Sequence, residues 1–339
     1  MENSMSRVII ETVVKNAIHD LKRDPERSVR RLVDMVLRLS SGRFQKHFLE
    51  TANTMLENED SPYYTLVRDV ASYASEERLL HLSMNIGYNS CTYGAERIRK
   101  NERTMGFNIP WLISLQMDDR SVSHLPRYQN VISEGEALGI YSWLIDGKNA
   151  SAFPLMREHP DSAFFLLCEK EDITEDFLEG AASLPNLMPV IRYEETARDA
   201  CRNFRQAGMP YAVFYPYSDR DVQILSNGDL LYSAQQLSPV FTVLIPIPGC
   251  SDDTQALAFQ TATRARCNQS FRTIPMELHG DNHFIDHIIS DDSCTVTFDC
   301  DGNLWDWRGG IKEGMGNLFE DRLADILRQA NPKLVEVSV

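Results

Sequence analysis

Short apolar runs alternate with helical segments along the middle of the sequence, and this alternation constrains the fold more than any other feature. The runs read as buried strands at residues 109–117, 139–145, 163–169, 188–194, 210–217 and 238–247. The helical segments between them include residues 127–138, which are followed by Gly139, and residues 197–208, which end in Gly208. Repeated strand–helix units predict parallel strands joined by crossover helices, and therefore an α/β fold.

The predicted units divide the chain into three parts. Residues 1–105 carry helical periodicity and predict an N-terminal helical region. Residues 106–265 hold six strand–helix units, which fit a partial (β/α)6 barrel better than an open sheet. Residues 266–339 return to strand character at 294–307 before a last amphipathic helix, so we expect a small α+β C-terminal extension.

Charge and composition exclude several classes of protein. Asp and Glu number 49 against 34 Lys and Arg in 339 residues, a net charge of -15, which argues against a nucleic-acid partner or an anionic membrane. No apolar run reaches the roughly 18–20 residues that span a bilayer, and the start lacks the apolar core of a signal peptide, so we expect a cytoplasmic protein. The seven cysteines are widely spaced, which indicates reduced thiols and no disulfide framework.

Polar side chains that follow the predicted strands are the first candidates for a functional site, because the carboxyl ends of parallel strands meet at one mouth of a barrel. Carboxylates beside an arginine and a histidine can perform acid–base chemistry. The alternative is a network of ion pairs that stabilises the loops. The candidates at the barrel mouth are Asp118, Asp119, Arg120, His124, Asp146, Glu169 and Glu194.

A second group of candidates lies in residues 277–289, which are rich in histidine. On a helix, His279, His283 and His287 share one face and could bind zinc or iron. On a strand leading into a loop, His279, Asp281 and His283 share one side instead. The segment matches no HExxH signature, and a polar loop at the barrel mouth is the interpretation we favour over a divalent-metal site.

The order of these segments resembles the core of radical SAM (S-adenosylmethionine) proteins over roughly residues 100–330. The resemblance is carried by RKNERTMGFNIPWLISLQMDDR, LPRYQNVISEGEALGIYSWLIDGKN, EHPDSAFFLLCEKEDITEDFL and LPNLMPVIRYEE, and by the tail FDCDGNLWDW. It implies a radical-SAM-type partial TIM barrel followed by a SPASM-like extension. In that family the loop after the first strand carries CxxxCxxC, whose thiolates hold a [4Fe–4S] cluster.

The sequence departs from the family's motifs at the positions that bind its cofactors. Residues 117–126 contain no cysteine, so the three thiolates that hold the cluster are missing. After the second strand, residues 146–149 read Asp-Gly-Lys-Asn in place of Gly-Gly-Glu-Pro, which removes the carboxylate expected on the SAM amine. We therefore expect neither [4Fe–4S] nor SAM, and a divalent metal remains an option only at His279, Asp281, His283 and His287.

Loss of the cluster removes the chemistry on which radical SAM catalysis depends. We expect a catalytically inactive radical SAM-like protein that acts as a binding or scaffold subunit, with an active radical SAM enzyme or its substrate as partner. Two alternatives stay open. One is a repurposed barrel enzyme with a metal-assisted site at the mouth, and the other is a sensor of a small molecule. The oligomeric state is not predicted.

Overall fold

The structure is a computed structural model that describes residues 2–39, 51–52, 54–55, 57–147, 150–290, 292–306, 310–312 and 314–333. For residues 2–6, 32, 35–39 and 306 the description covers the backbone alone. No helix within these ranges is both long and apolar enough to cross a bilayer.

One mixed sheet organises the described part of the chain. Its ten strands are β1 Leu112–Met117, β2 Ser142–Gly147, β3 Ala163–Cys168, β4 Leu187–Arg192, β5 Ala212–Tyr217, β6 Phe241–Pro246, β7 Ile274–Glu277, β8 Val296–Phe298, β9 Leu304–Asp306 and β10 Gly310–Ile311. Their order is β10-β9-β8-β1-β2-β3-β4-β5-β6-β7. The pairs from β1 to β7 are all parallel, as is β1 with β8, while β8–β9 and β9–β10 are antiparallel. This arrangement confirms the expected α/β fold.

The strands form because their apolar residues are buried on both faces of the sheet, as in other parallel sheets. Ile113 pairs in register with Trp143, and both are fully buried against the outer helices. The alternate positions turn to the inner side, where Ser114 pairs with Leu144. All six strands predicted from the apolar runs are present, with ends that differ by a few residues.

Helices connect the parallel strands on the outer side of the sheet. They are α6 Leu125–Leu138, α7 Phe153–Glu158, α8 Glu175–Ala182, α9 Arg198–Gln206, α10 Val222–Ser226, α11 Asp229–Ala234 and α12 Asp252–Cys267. Thr174 begins α8 as its N-cap, since its hydroxyl accepts a hydrogen bond from the Phe177 amide at 3.2 Å. Gly139 ends α6 with a φ of 112°, a conformation that glycine adopts without strain.

The N-terminal helices close the bottom of the barrel, where the strands begin. They are α1 Glu2–Leu21, α2 Pro25–Leu39, α3 Pro62–Tyr73, α4 Glu76–Leu82, a π-helical segment Ser83–Gly94 and α5 Ala95–Met105. Leu82 and Ile86 pack into one apolar cluster with Met188, Val190 and Ala212, on the inner side of β4 and β5. The bottom of the barrel is therefore filled with side chains, and the mouth is the end that remains accessible.

The C-terminal part of the chain joins the same sheet from both edges. Residues 277–289, which we interpreted as a polar loop, instead form the end of β7 and most of α13 Leu278–Ser290, so that interpretation is wrong. The last helix, α14 Leu323–Ala330, packs on α6, and Glu134 accepts a hydrogen bond from the Leu323 amide at 2.7 Å. The division at 105/106 and 265/266 stays a prediction, although residue 265 lies within α12.

Candidate binding site at the barrel mouth

A cavity of about 280 Å³ opens where the parallel strands end. Its wall is mainly apolar and includes Leu144, Leu167, Phe214 and Ile245. Its polar side chains are Gln116, Asp146, Glu169 and Arg192, with Ser114 and Thr297 also present. Clefts that combine an apolar wall with a few convergent polar groups are the usual form of ligand sites in proteins.

Strand alternation explains why these side chains meet in the cavity. Gln116 pairs in register with Asp146, and Asp146 pairs with Leu167 on the next strand. Residues in register point to the same side of a sheet, so the three side chains form one row across β1, β2 and β3. Leu144 lies two residues before Asp146 and faces the same side, one step deeper in the barrel.

Asp146 is the acidic group that reaches the cavity from β2. Among the described residues, no side chain or backbone amide donates a hydrogen bond to its carboxylate, and no cation pairs with it. Asp146 is exposed at the open end of the cavity, where the barrel wall removes part of the water around its carboxylate. This desolvation raises the pKa of Asp146, and the nearby charge of Glu169 raises it further. The next residues but one along the chain, Lys148 and Asn149, lie outside the described residues.

Glu169 and Arg192 line the cavity as an ion pair. The Arg192 Nη1 donates to Glu169 Oε1 over 3.2 Å, and both side chains are about half exposed. Exposed pairs of this kind contribute little to stability. The pair therefore supplies one positive and one negative group at the mouth, and no other described cation compensates the Asp146 charge beside them.

Glu194 is another acid of the predicted mouth. It pairs with a lysine and does not line the cavity. Lys170 Nζ donates to Glu194 Oε2 over 2.6 Å and to Thr196 Oγ1 over 2.7 Å. The hydrogen bond from Lys170 lowers the pKa of Glu194, and the hydroxyl of Thr196 lowers it further. Glu194 thus belongs to a separate ion pair on the rim.

The loop after β1 is organised around Arg120. Asp118 begins the 3₁₀ turn Asp119–His124 and accepts hydrogen bonds from the Arg120 backbone amide at 2.9 Å and Nε at 2.8 Å. Arg120 Nη1 also lies 3.0 Å from Asp301 Oδ1. Its Nη2 donates to Cys300 Sγ over 3.2 Å. The hydrogen bond from Arg120 is the main reason that the pKa of Asp118 is lowered.

Asp119 and His124 point away from the cavity. Asp119 is exposed, and the His124 ring stacks on Phe319 with the ring centroids 4.3 Å apart. The structure therefore brings Asp146 and Glu169 together with Gln116 and Arg192, and it places Asp118, Arg120 and His124 in a neighbouring loop network. A functional role for these residues stays a prediction.

The histidine-rich candidates all lie on α13, but they do not converge. Asp281 is buried and accepts two hydrogen bonds from the Arg266 guanidinium, at 3.0 and 2.6 Å, and one from the Glu277 amide at 2.8 Å. His279 Nδ1 faces Gln255 Oε1 at 3.4 Å, and His287 Nε2 faces Ser293 Oγ at 3.4 Å. In the described ranges, no three His, Cys, Asp or Glu side chains are grouped so that they could hold a metal ion.

The loop after β1 also allows a test of whether an iron–sulfur cluster fits. It contains no cysteine. The thiol that it contacts is Cys300, and partial burial and the neighbouring Asp118 raise the pKa of that thiol, which disfavours the thiolate that binds iron. The described residues of this loop do not fit the thiolate set that a [4Fe–4S] cluster requires.

Three residues that the sequence did not single out as site candidates are prominent in the structure. Gln116 is a polar residue within an apolar strand, a signal that could have identified a side chain facing a cavity. Glu277 and Asp286 are buried carboxylates on β7 and α13. Desolvation raises the pKa of Glu277 to about 7 and that of Asp286 to about 6. Their partners are distant in sequence or depend on the turn into α13, so no local pattern marks them.

Comparison with known proteins identifies the fold. No family model matches the sequence, and no curated protein matches it. Solved structures of SuiB from Streptococcus suis match with a TM-score of 0.50 and 10% identity over 70% of each chain. The fold is of the radical SAM type. This likeness confirms the partial barrel expected from the order of the segments.

Two further SuiB structures show what that protein binds. SuiB bound to the precursor peptide SuiA is 10% identical over 70% of this chain and 69% of SuiB, with a TM-score of 0.50. SuiB bound to S-adenosylmethionine is 9% identical over 70% of this chain and 68% of SuiB, with the same TM-score. At this level of identity the likeness describes the fold, and the cofactor state of the present chain stays a prediction.

Proposed function

We propose that this chain is a catalytically inactive, radical-SAM-type binding subunit that docks a protein or peptide partner at its barrel mouth in the cytoplasm. The observation that carries the proposal is the loop after β1. Where the fold family places its cluster ligands, this loop has Asp118 and Arg120, which are engaged with each other and with the loop after β8. The partner that we expect is an active radical SAM enzyme or the peptide substrate of one.

Exposed apolar side chains around the mouth support a docking role. Val122 follows β1, Val222 follows β5 and Ile247 follows β6, and their exposed fractions are 51%, 39% and 42%. Exposed apolar residues grouped around a concave mouth are typical of surfaces that bind a partner. A SuiB structure holds a precursor peptide, and this supports a peptide or a peptide-bearing protein as the partner.

A cofactor measurement tests the inactive state. The protein is purified and reconstituted with iron and sulfide without oxygen, and iron, sulfide and SAM binding are then measured. We expect no stoichiometric cluster, no heat of SAM binding in calorimetry and no reductive cleavage of SAM. A bound cluster together with formation of 5′-deoxyadenosine would overturn the proposal, because it would show the chemistry that the proposal denies.

A crosslinking experiment tests the docking surface. A photoreactive phenylalanine analogue replaces Val122 at the mouth, and in a matched control it replaces Met105, which is 40% exposed at the end of α5. We expect the Val122 variant to crosslink to a co-expressed cysteine-bearing radical SAM protein or to its peptide substrate, and the Met105 variant to remain uncoupled. Equal crosslinking at both positions would contradict docking at the mouth.

A further inference from the structure

The Asp146 carboxylate differs from the paired acids around the mouth, and from Asp119, which points away from the cavity. Asp118 is paired with Arg120, Glu169 with Arg192 and Glu194 with Lys170. Asp146 faces the cavity, and within the described ranges no cation or hydrogen-bond donor reaches its side chain. At the edge of an apolar cavity, a cation is attracted to such a carboxylate more strongly than it would be in open water.

The charged groups around Asp146 determine which ligand charge the cavity favours. Glu169 directly follows the neighbouring strand β3 and adds negative charge, which raises the pKa of Asp146 beyond the effect of desolvation. Arg192 is the positive group of the lining, and it is already paired with Glu169. Among the residues that the structure describes, the local balance is therefore one uncompensated negative charge, which attracts a monocation and repels an anion.

The apolar wall selects the body of the ligand. Leu144 lies directly below Asp146 on the same face of β2, and Leu167 lies beside it in register on β3. Phe214 and Ile245 complete the wall from β5 and β6. Because methylene groups gain free energy on leaving water, such a wall suits an unbranched alkyl chain, with an affinity gain of about fourfold for each methylene that is fully buried.

The volume of the cavity limits the size of the ligand. At about 280 Å³ it lies just below the range of about 300–1,000 Å³ that is typical of small-molecule sites. It suits one long side chain or a small amine better than a cofactor that contains a nucleoside. An ammonium group is compact and carries three donors, which matches a single carboxylate with Gln116 in register beside it.

We propose that the cavity binds a primary alkylammonium group, with the nitrogen at Asp146 and the alkyl chain along Leu144, Leu167, Phe214 and Ile245. The inference deepens the proposed function and rests on it in one respect, since a lysine side chain of the docked partner would supply this group. A free alkylamine would supply the same chemistry, and the experiment separates the two sources.

The test uses the full chain with labelled leucine and isoleucine methyl groups, so that NMR reports directly on Leu144, Leu167 and Ile245. n-Hexylamine, n-hexanol and hexanoate are titrated separately to millimolar concentration. We expect saturable shifts of these methyl signals with the amine, binding at least tenfold weaker for the alcohol, and none for the acid. From n-propylamine to n-hexylamine, the affinity should rise by up to about fourfold per methylene.

Two variants locate the charge that matters. Asp146→Asn keeps the shape of the side chain and should weaken n-hexylamine binding at least tenfold, to the level of n-hexanol. The matched control is Asp118→Asn, which removes an acid of the same mouth that is paired with Arg120, and it should bind n-hexylamine as the native protein does. Equal binding of the amine and the alcohol by the native protein would overturn the proposal, and so would unchanged binding by Asp146→Asn.

The source of the amine is separated with a capped Gly-Lys-Gly peptide and n-butylamine, which has the same stem as a lysine side chain. Peptide binding as tight as that of n-butylamine supports a lysine of the partner, and binding of n-butylamine alone supports a small amine. A cavity that binds neither overturns the alkylammonium site. If partner crosslinking at Val122 nevertheless succeeds, docking at the mouth stands and only the assignment of the cavity fails.

Discussion

Arg120 donates a hydrogen bond to Cys300 Sγ over 3.2 Å, and this contact joins the loop after β1 to the loop after β8. The same guanidinium holds Asp118 within its own loop and Asp301 beside Cys300. Two segments 180 residues apart in sequence are thus connected at the barrel mouth by one side chain. This contact organises the two loops without supporting the whole fold, because its side chains all remain at least partly exposed to solvent.

Arg120→Leu tests this local role. We expect the midpoint of urea denaturation to stay within experimental error of the native value, since exposed ion pairs are screened by water. Hydrogen exchange measured by mass spectrometry should become faster in residues 118–124 and 299–303 and remain unchanged in β4. Arg103→Leu, which changes an exposed arginine of α5, is the control. A large fall in the denaturation midpoint would show that the network supports the whole fold.

Asp286→Asn tests a carboxylate that has a structural role. Asp286 is fully buried and accepts hydrogen bonds from the Trp111 amide at 3.2 Å, the Cys294 amide at 3.1 Å and the Thr295 hydroxyl at 2.8 Å. An asparagine presents one NH₂ group to these donors, so one of them loses its acceptor. We expect a loss of about 2–3 kcal/mol in the free energy of unfolding, measured by urea denaturation.

Asp292→Asn is the control for that change, because Asp292 lies in the adjacent exposed segment. It should alter the free energy of unfolding by less than about 0.5 kcal/mol. An equal effect of the two substitutions would contradict the role assigned to Asp286, since it would indicate that charge alone, and not the buried acceptor, decides stability.

These residues show where sequence reasoning succeeded and where it could not. The six barrel strands were predictable because a parallel strand buried on both faces is a nearly continuous apolar run. Strand β7, residues Ile274–Glu277, was missed because it is short and contains Pro275. The partners of Asp286 were not predictable, since Trp111 is 175 residues away and only the fold brings them together.

The candidate site was predictable in part for a similar reason. The rule that polar residues meet at the ends of parallel strands placed Asp146 and Glu169 at one mouth. The same rule also predicted Asp118 and His124 at the mouth, but neither side chain lines the cavity in the structure. The 3₁₀ turn after β1 turns His124 onto Phe319, and residue spacing in the loop contains no information about that tertiary contact.

Arg78→Met tests how the N-terminal helices hold the barrel. Arg78 of α4 is buried and donates hydrogen bonds to the backbone oxygens of Leu184 at 2.8 Å, Ala181 at 2.8 Å and Ala182 at 2.6 Å, at the end of α8. Methionine keeps the apolar stem and removes all three side-chain hydrogen bonds, although Ala181 O still accepts from the Leu184 amide and Leu184 O from the Leu187 amide. We expect a loss of about 3 kcal/mol in the free energy of unfolding.

The measurement is urea denaturation, with Arg103→Met on the exposed face of α5 as the control for loss of an arginine. The control should change the free energy of unfolding by less than about 0.5 kcal/mol. If Arg78→Met were equally mild, the helices would be held by apolar packing alone, and the contact with α8 would have no energetic importance.

Glu277→Gln tests the pH dependence of stability. Glu277 is buried and accepts hydrogen bonds from the Tyr217 hydroxyl at 2.9 Å and the Gly280 amide at 2.6 Å. Desolvation raises its pKa from 4.5 to about 7, and the Asp281 carboxylate, paired with Arg266, also raises it. Between these two pH values the folded protein keeps a proton that the unfolded chain releases.

The sign of the effect follows from that proton. A group whose pKa is higher in the folded state stabilises the fold fully below pH 4.5, and this contribution is lost as the pH rises through about 7. Glutamine imitates the protonated acid, because it can donate to Tyr217 and accept from Gly280 at every pH. We expect the variant and the native protein to be similarly stable at pH 5, and the variant to be more stable at pH 8 by about 2–3 kcal/mol. Glu158→Gln changes an exposed glutamate and is the control: its change in the free energy of unfolding between pH 5 and pH 8 should equal that of the native protein. A native protein that gains stability from pH 5 to pH 8 through Glu277 would show instead that this carboxylate is ionised in the fold.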